Sequence, residues 1–358
     1  MAGRRRARTR RAAGVAPALA ALSLLVTVSC AHRSPSSGAP SPPGPVWPPP
    51  PAAARIEYLD SFRVPRDLGI RRGAVTRFLA RLFRGRRARA LARPYAIAVA
   101  PDGRIAVADP DARSLHVFDP GHKRYHRLTR AGGRPLESPV GVAFDPEGRF
   151  YVADSARGAV FRSGEQARNL DRFVREGELR RPTGLAFDLG RGLLWVVDTL
   201  GHRVVGFDEE GRRKAVLGGR GTGDGRFNYP VAVTVGPGGR LYVTDSMNFR
   251  VQILDPERGF VASFGSAGTG PGDLDKAKGI ALDRDGHVYV VEGLHDVVQV
   301  YDGGGRLLTV IGGTGTGPGQ FWLPTGIHID ASGRIFIADS ANHRVQILRY
   351  LGEAAGAS

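Results

Sequence analysis

From residue 94 onward, short apolar runs alternate with polar breaks, and the pattern repeats along the chain. Each unit opens on a run such as Pro139-Val140-Gly141-Val142-Ala143-Phe144 or Pro324-Thr325-Gly326-Ile327-His328-Ile329. A turn follows, as in Pro101-Asp102-Gly103, Pro146-Glu147-Gly148, Asp285-Gly286 or Ser332-Gly333. A second apolar run then ends on an acid: Asp109, Asp154, Asp198, Asp245, Glu292 or Asp339, spaced 45, 44, 47, 47 and 47 residues apart. A third run is seen as Arg250-Val251-Gln252-Ile253-Leu254, and a fourth as Phe260-Val261-Ala262-Ser263-Phe264. Short strands joined by Gly turns at this period predict the four-stranded blades of an all-β propeller. Six units predict six blades over 94–351.

The last unit runs out after three strands. Ile56-Glu57-Tyr58-Leu59-Asp60-Ser61-Phe62 lies ahead of the first unit and is similar to Val261-Ala262-Ser263-Phe264. We therefore expect 55–67 to supply the missing outer strand and close the ring, which leaves no exposed blade junction.

The first 54 residues follow another pattern. Six Arg and no acid precede an apolar stretch that reaches Val28 and is too short for a comfortable membrane span. Cys30, the single cysteine of the chain, follows at once. Residues 1–29 thus read as an export signal. With Cys30 they resemble a bacterial lipoprotein signal, which implies lipidation of Cys30, the alternatives being an uncleaved anchor or ordinary secretion. Residues 30–54 are rich in Pro and Ser and are expected to form an extended tether. One cysteine excludes a disulfide framework and any multi-thiolate zinc site. The predicted location is the cell envelope, with the outer membrane favoured by Ala31 after the cysteine.

Net charge is +17, which suggests a polyanionic partner until the charge is located. Residues 1–29 hold +6 and residues 62–93 hold +10, whereas 94–358 carry 32 basic against 31 acidic residues. The repeat body lacks the basic excess of a nucleic-acid-binding domain, so no nucleic-acid partner is expected. Within 68–93, Val75, Phe78, Leu79, Leu82 and Phe83 fall on one helical stripe surrounded by arginines. This predicts a basic amphipathic helix, with Arg84, Arg86, Arg87 and Arg89 as candidate contacts to anionic lipid or an acidic partner.

The repeated acids suit hydrogen bonding to the following loop, and Arg203, Arg250 and Arg344 stand five residues after theirs, as an acid–Arg bracket requires. The Gly-rich stretches 218–223, 265–270 and 312–317 lack the phosphate-loop pattern and end in Phe227, Leu274 and Phe321, placed to pack between blades. His202, His295 and His343 fall in loops that share one face and are candidates for a divalent metal. His328 takes a position held elsewhere by Ala98, Ala143, Ala186, Thr234 and Ala281, close to the channel. No Ser, Cys or His arrangement for nucleophilic catalysis stands out, so no cofactor or catalytic residue is assigned.

Residues 321–346, from Phe321-Trp322-Leu323-Pro324 to Ala338-Asp339-Ser340-Ala341-Asn342-His343-Arg344-Val345-Gln346, resemble the NHL repeat. Asp245-Ser246-Met247-Asn248-Phe249-Arg250-Val251-Gln252 is similar, and 198–204 less closely; units one, two and five diverge. With its signal and spacer, the chain resembles bacterial NHL-repeat propeller lipoproteins. The resemblance implies a monomeric, lipid-anchored, non-catalytic propeller that binds an envelope protein or glycan. The alternative it allows is a metal-dependent lyase or hydrolase with its site in the central channel.

Overall fold

A computed structural model describes residues 44–49, 52–53, 55–70, 90–164 and 169–352. Six antiparallel sheets form blades 1 to 6, over 96–128, 139–172, 182–218, 230–264, 277–312 and 324–350. The first strand of each blade is innermost, and inner strands of successive blades touch all around the ring, blade 6 against blade 1 included.

The middle strands explain the unbroken apolar runs of the sequence. Alternate side chains of Ile105–Asp109 or Leu241–Asp245 point to the two neighbouring blades, so every residue of these strands is buried. The core accordingly divides into six clusters, each lying between two blades. Trp195, Val197 and Val204 of blade 3 pack with Phe227, Val233 and Leu241 at blade 4. Phe227, Leu274 and Phe321 are fully buried wedges, the packing role expected at the ends of the Gly-rich stretches.

Ile56–Phe62 pairs antiparallel with Arg344–Tyr350 and completes blade 6 from the N-terminal side. Its two ends fasten different neighbours, because Ile56 packs with blade 5 residues and Phe62 with blade 1 residues. One finding departs from the expected 30–54 spacer. Val46–Trp47 pairs with Glu57 and Ile56 and makes blade 6 five-stranded. The free edge of Ile56–Phe62 offers unpaired backbone groups, and Trp47 gains contact with the cluster between blades 5 and 6.

The amphipathic helix expected over 68–93 falls largely on 71–89, outside the described residues, as do Arg84, Arg86, Arg87 and Arg89. Cys30 and the export signal lie outside them too. Flanking the gap, Pro65–Leu68 is a 3-10 turn, and Ile70 and Leu91 are buried between blades 6 and 1. Among the described residues there is no α-helix.

Candidate functional site

The strand-end acids hold the ring together rather than facing a ligand. All six are fully buried. Their main donors differ from the expected following loop: they are backbone N–H groups of the loop that enters the same blade's inner strand. Asp109 accepts from Ala92 and Arg93, Asp154 from Glu137 and Ser138, and Asp198 from Arg180 and Arg181. The acid–Arg bracket is present at Arg203–Asp198, Arg250–Asp245 and Arg344–Asp339, at 3.0, 3.0 and 2.6 Å.

Blade 1 fills the same space differently. His116 Nε2 lies 3.1 Å from Ser114 Oγ and 3.5 Å from Asp109 Oδ2, and its Nδ1 lies 2.8 Å from the Tyr125 hydroxyl. Burial alone would raise the Asp109 carboxyl, yet hydrogen bonds from His116 and the Ala92 and Ala112 N–H groups hold it below its usual range. The grouping has the composition of a hydrolytic triad, but Ser114, His116 and Asp109 are all sealed in the core. Sequence reasoning alone passes over His116; placing Ser114 and His116 under Arg250 and Gln252 of blade 4 would have located it.

The three loop histidines are engaged separately. His202 sits in the left-handed region at φ 52° and accepts a 3.2 Å hydrogen bond at Nδ1 from the Tyr229 N–H, tying blade 3 to the loop entering blade 4. His343, at φ 56°, ties blade 6 to the loop entering blade 1 with the opposite polarity, its Nδ1–H donating to the Ala92 carbonyl. In blade 5 this place belongs to Asp296, which accepts from Leu323 N–H at 2.7 Å. His295 stands one residue earlier, with Nδ1 3.6 Å from Glu292. Burial raises the Glu292 carboxyl in spite of N–H donation from Lys276 and Leu294 and the nearby imidazole. Among the described residues, no three of His, Cys, Asp and Glu come together to hold a metal.

His328 does line the central channel, a cavity of about 420 Å³ bounded by all six inner strands. Burial pushes its imidazole down to about 4, against the pull of Asp330 and a hydrogen bond with the Val99 backbone in blade 1. The native protein therefore keeps His328 neutral between pH 6.5 and 4, where the unfolded chain takes up a proton. Stability from this group is complete above pH 6.5 and declines as pH falls through that window, by about 3 kcal/mol at most. His328→Ala, the residue other blades use, should lose less melting temperature than wild type between about pH 7 and pH 4.5. Equal losses would show that His328 is protonated in the fold.

Among the described residues, six of the eleven exposed large apolar side chains share one face of the disc. Leu200, Met247 and Leu294 project from loops after second strands, and Tyr229, Trp322 and Leu323 from loops entering inner strands. Both loop types open on the same face, since the Met247 N–H donates to the Asn228 carbonyl and the Ala341 N–H to the Trp322 carbonyl. Trp322 is 52% exposed beside the fully buried Phe321.

The NHL repeat matches the chain at 136–162, 227–254 and 321–348, in blades 2, 4 and 6. Blade 2, which reads as divergent in sequence, is therefore matched, and blade 3 is not. No curated protein matches the chain. Among solved structures, a catalytically inactive virginiamycin B lyase from Staphylococcus aureus with quinupristin is similar at 13% identity and TM-score 0.54, over 72% of this chain and 80% of that one. An auxiliary nutrient binding protein from Bacteroides thetaiotaomicron is similar at 12% identity and TM-score 0.58, over 73% and 70%. One from Bacteroides ovatus is 14% identical with TM-score 0.57, over 72% and 69%. Identities this low speak to the fold alone. Three matched repeats, set in blades 2, 4 and 6 of a six-bladed ring, support an NHL-repeat propeller.

Proposed function

We propose that the protein is a lipid-anchored propeller that binds a protein or glycan partner at the bacterial cell envelope. The observation that carries this reading is the apolar face formed by Leu200, Tyr229, Met247, Leu294, Trp322 and Leu323. Side chains of this size left in water on one face of a protein suit a partner that covers them, and Trp and Tyr are favoured anchors at interfaces. The anchor rests on Cys30 behind its Arg-rich and apolar leader, and the tether on the Pro-rich residues that follow. The sequence offers Arg84, Arg86, Arg87 and Arg89 as further candidate contacts for anionic groups.

Two measurements test the reading. Cys30→Ser should release the protein from the membrane fraction or block its processing; unchanged mass and fractionation would reject the anchor. Full-length lipidated protein should capture a partner from solubilised membranes, and Leu294→Ser with Trp322→Ser should lose it at unchanged melting temperature. Capture that survives both substitutions would place the partner elsewhere. The rival reading, a metal-dependent lyase or hydrolase using the channel and His328, predicts stoichiometric divalent metal in the purified protein.

A further inference from the structure

Each blade sets one residue two or three positions ahead of its first channel-lining residue, directly before the proline or alanine that leads into its inner strand. In order these are Arg93, Ser138, Arg181, Tyr229, Lys276 and Leu323. Their backbones are fixed: the Arg93, Ser138, Arg181 and Lys276 N–H groups donate to the buried strand-end acids at 3.0, 2.9, 2.9 and 2.5 Å. Tyr229 and Leu323 are fixed by His202 and Asp296. Cations thus stand in blades 1, 3 and 5, with uncharged residues between them. All three cationic side chains are exposed, and Lys278 lies two residues further in, where it lines the cavity itself.

We propose that this rim is a binding site for a small organic anion, its charged group held by Arg93, Arg181, Lys276 and Lys278 and its apolar part seated in the channel. None of the four side chains forms an ion pair or hydrogen bond with another described residue. Arg93 of blade 1 acts electrostatically on Lys278 of blade 5, and Arg181 of blade 3 on Tyr95 of blade 1, although none of these blades is adjacent to the other of its pair. Burial lowers the Lys278 ammonium, and the charges of Lys276 and of Arg93, on blade 1, lower it further; Glu292 opposes them. Burial raises the Tyr95 hydroxyl, and Arg181 and Arg93 both act against that rise. The acids Asp109, Asp198 and Glu292 are buried and take the backbone N–H groups of Arg93, Arg181 and Lys276, and the Glu292 carboxyl is itself raised. An anion would relieve this cation repulsion with charge-assisted hydrogen bonds. Below the rim the walls are Val142, Leu185, Val233, Ile280 and the small residues Ala98 and Ala143, which suit a compact apolar body.

The site does not depend on the partner-binding reading. Leu294→Ser with Trp322→Ser should leave it intact, so the two fail separately. Calorimetric titration of the full chain with octyl phosphate should show binding that weakens as salt rises, and that exceeds binding of inorganic phosphate or of neutral octyl glucoside by about tenfold. Arg93→Gln with Arg181→Gln and Lys276→Gln should reduce octyl phosphate affinity by about tenfold or more. Lys278→Met alone, read the same way, covers the case in which the triple variant folds poorly. Phosphatidylglycerol vesicles separate two sources of the anion. Weaker vesicle binding by the triple variant assigns a lipid headgroup, whereas unchanged vesicle binding with weakened octyl phosphate binding assigns a free solute. If octyl phosphate binds no better than octyl glucoside, or equally well to wild type and variants, the proposal is overturned.

Discussion

Gly141→Ala is expected to cost several kcal/mol, although it adds a single methyl group. The residue is third in the inner strand of blade 2, and a Cβ there would lie 1.9 Å from the Thr183 carbonyl oxygen of blade 3. The obstacle is backbone, which cannot turn aside as a side chain can. Gly184, Gly279 and Gly326 stand at the same place in their blades, and a Cβ on each would approach neighbouring backbone to 2.6, 2.7 and 2.4 Å. Glycine serves here for close approach, since none of the four has a positive φ. Relief requires adjacent inner strands to separate while their own sheets hold them in register. Overpacking usually costs about 1–3 kcal/mol, and a backbone clash at this distance belongs at or above the top of that range. The melting temperature should fall by roughly 6 °C or more. Gly190→Ala is the control, because its Cβ would meet only the Asp188 side chain at 3.5 Å. Similar melting temperatures for the two variants would show that the inner strands have room to part.

Much of this fold is legible because its period is long and its strand-end acids are regular. The blade count, the closing segment and the unusual place of His328 all follow from writing the six units in one column. Other features depend on what lies across the ring. Phe321, Trp322 and Leu323 are consecutive and apolar, yet only Phe321 is fully buried, since its side chain enters the gap between blades while the next two face outward. The rim cations escape a linear reading for a similar reason. Arg93 and Lys276 are 183 positions apart and converge only because the ring closes. His202, His295 and His343 share a face, a weaker condition than sharing a point, and two of these rings latch blades together. Val46–Trp47 is hidden by its surroundings, because two residues within a Pro-rich stretch carry no strand periodicity.

Truncating both ends of the closing strand, by Ile56→Ala with Phe62→Ala, should destabilise the protein more than any change confined to one blade surface. Both side chains are 1% exposed, and they belong to different clusters. Phe62 meets Phe118 of blade 1 edge to face, with ring centroids 5.3 Å apart, while Ile56 belongs to the cluster that holds Val298 and Ile311 of blade 5. Large-to-small core changes cost about 2–5 kcal/mol for Ile and 3–5 for Phe. Sites with no shared partners add, so the double variant should lose about 5 kcal/mol or more. In a domain of this size that is a fall of roughly 10 °C or more in melting temperature. Exposed Asp60, in the same strand, provides the comparison: Asp60→Ala should stay within about 0.5 kcal/mol of wild type. Amide exchange distinguishes loss of closure from general weakening. When the closing strand loosens, protection should fall first in Arg344–Tyr350, its direct partner, and only later in the sheets of blades 2 and 3. Uniform loss of protection across all six blades, or a melting temperature near wild type, would mean that the ring holds without this strand.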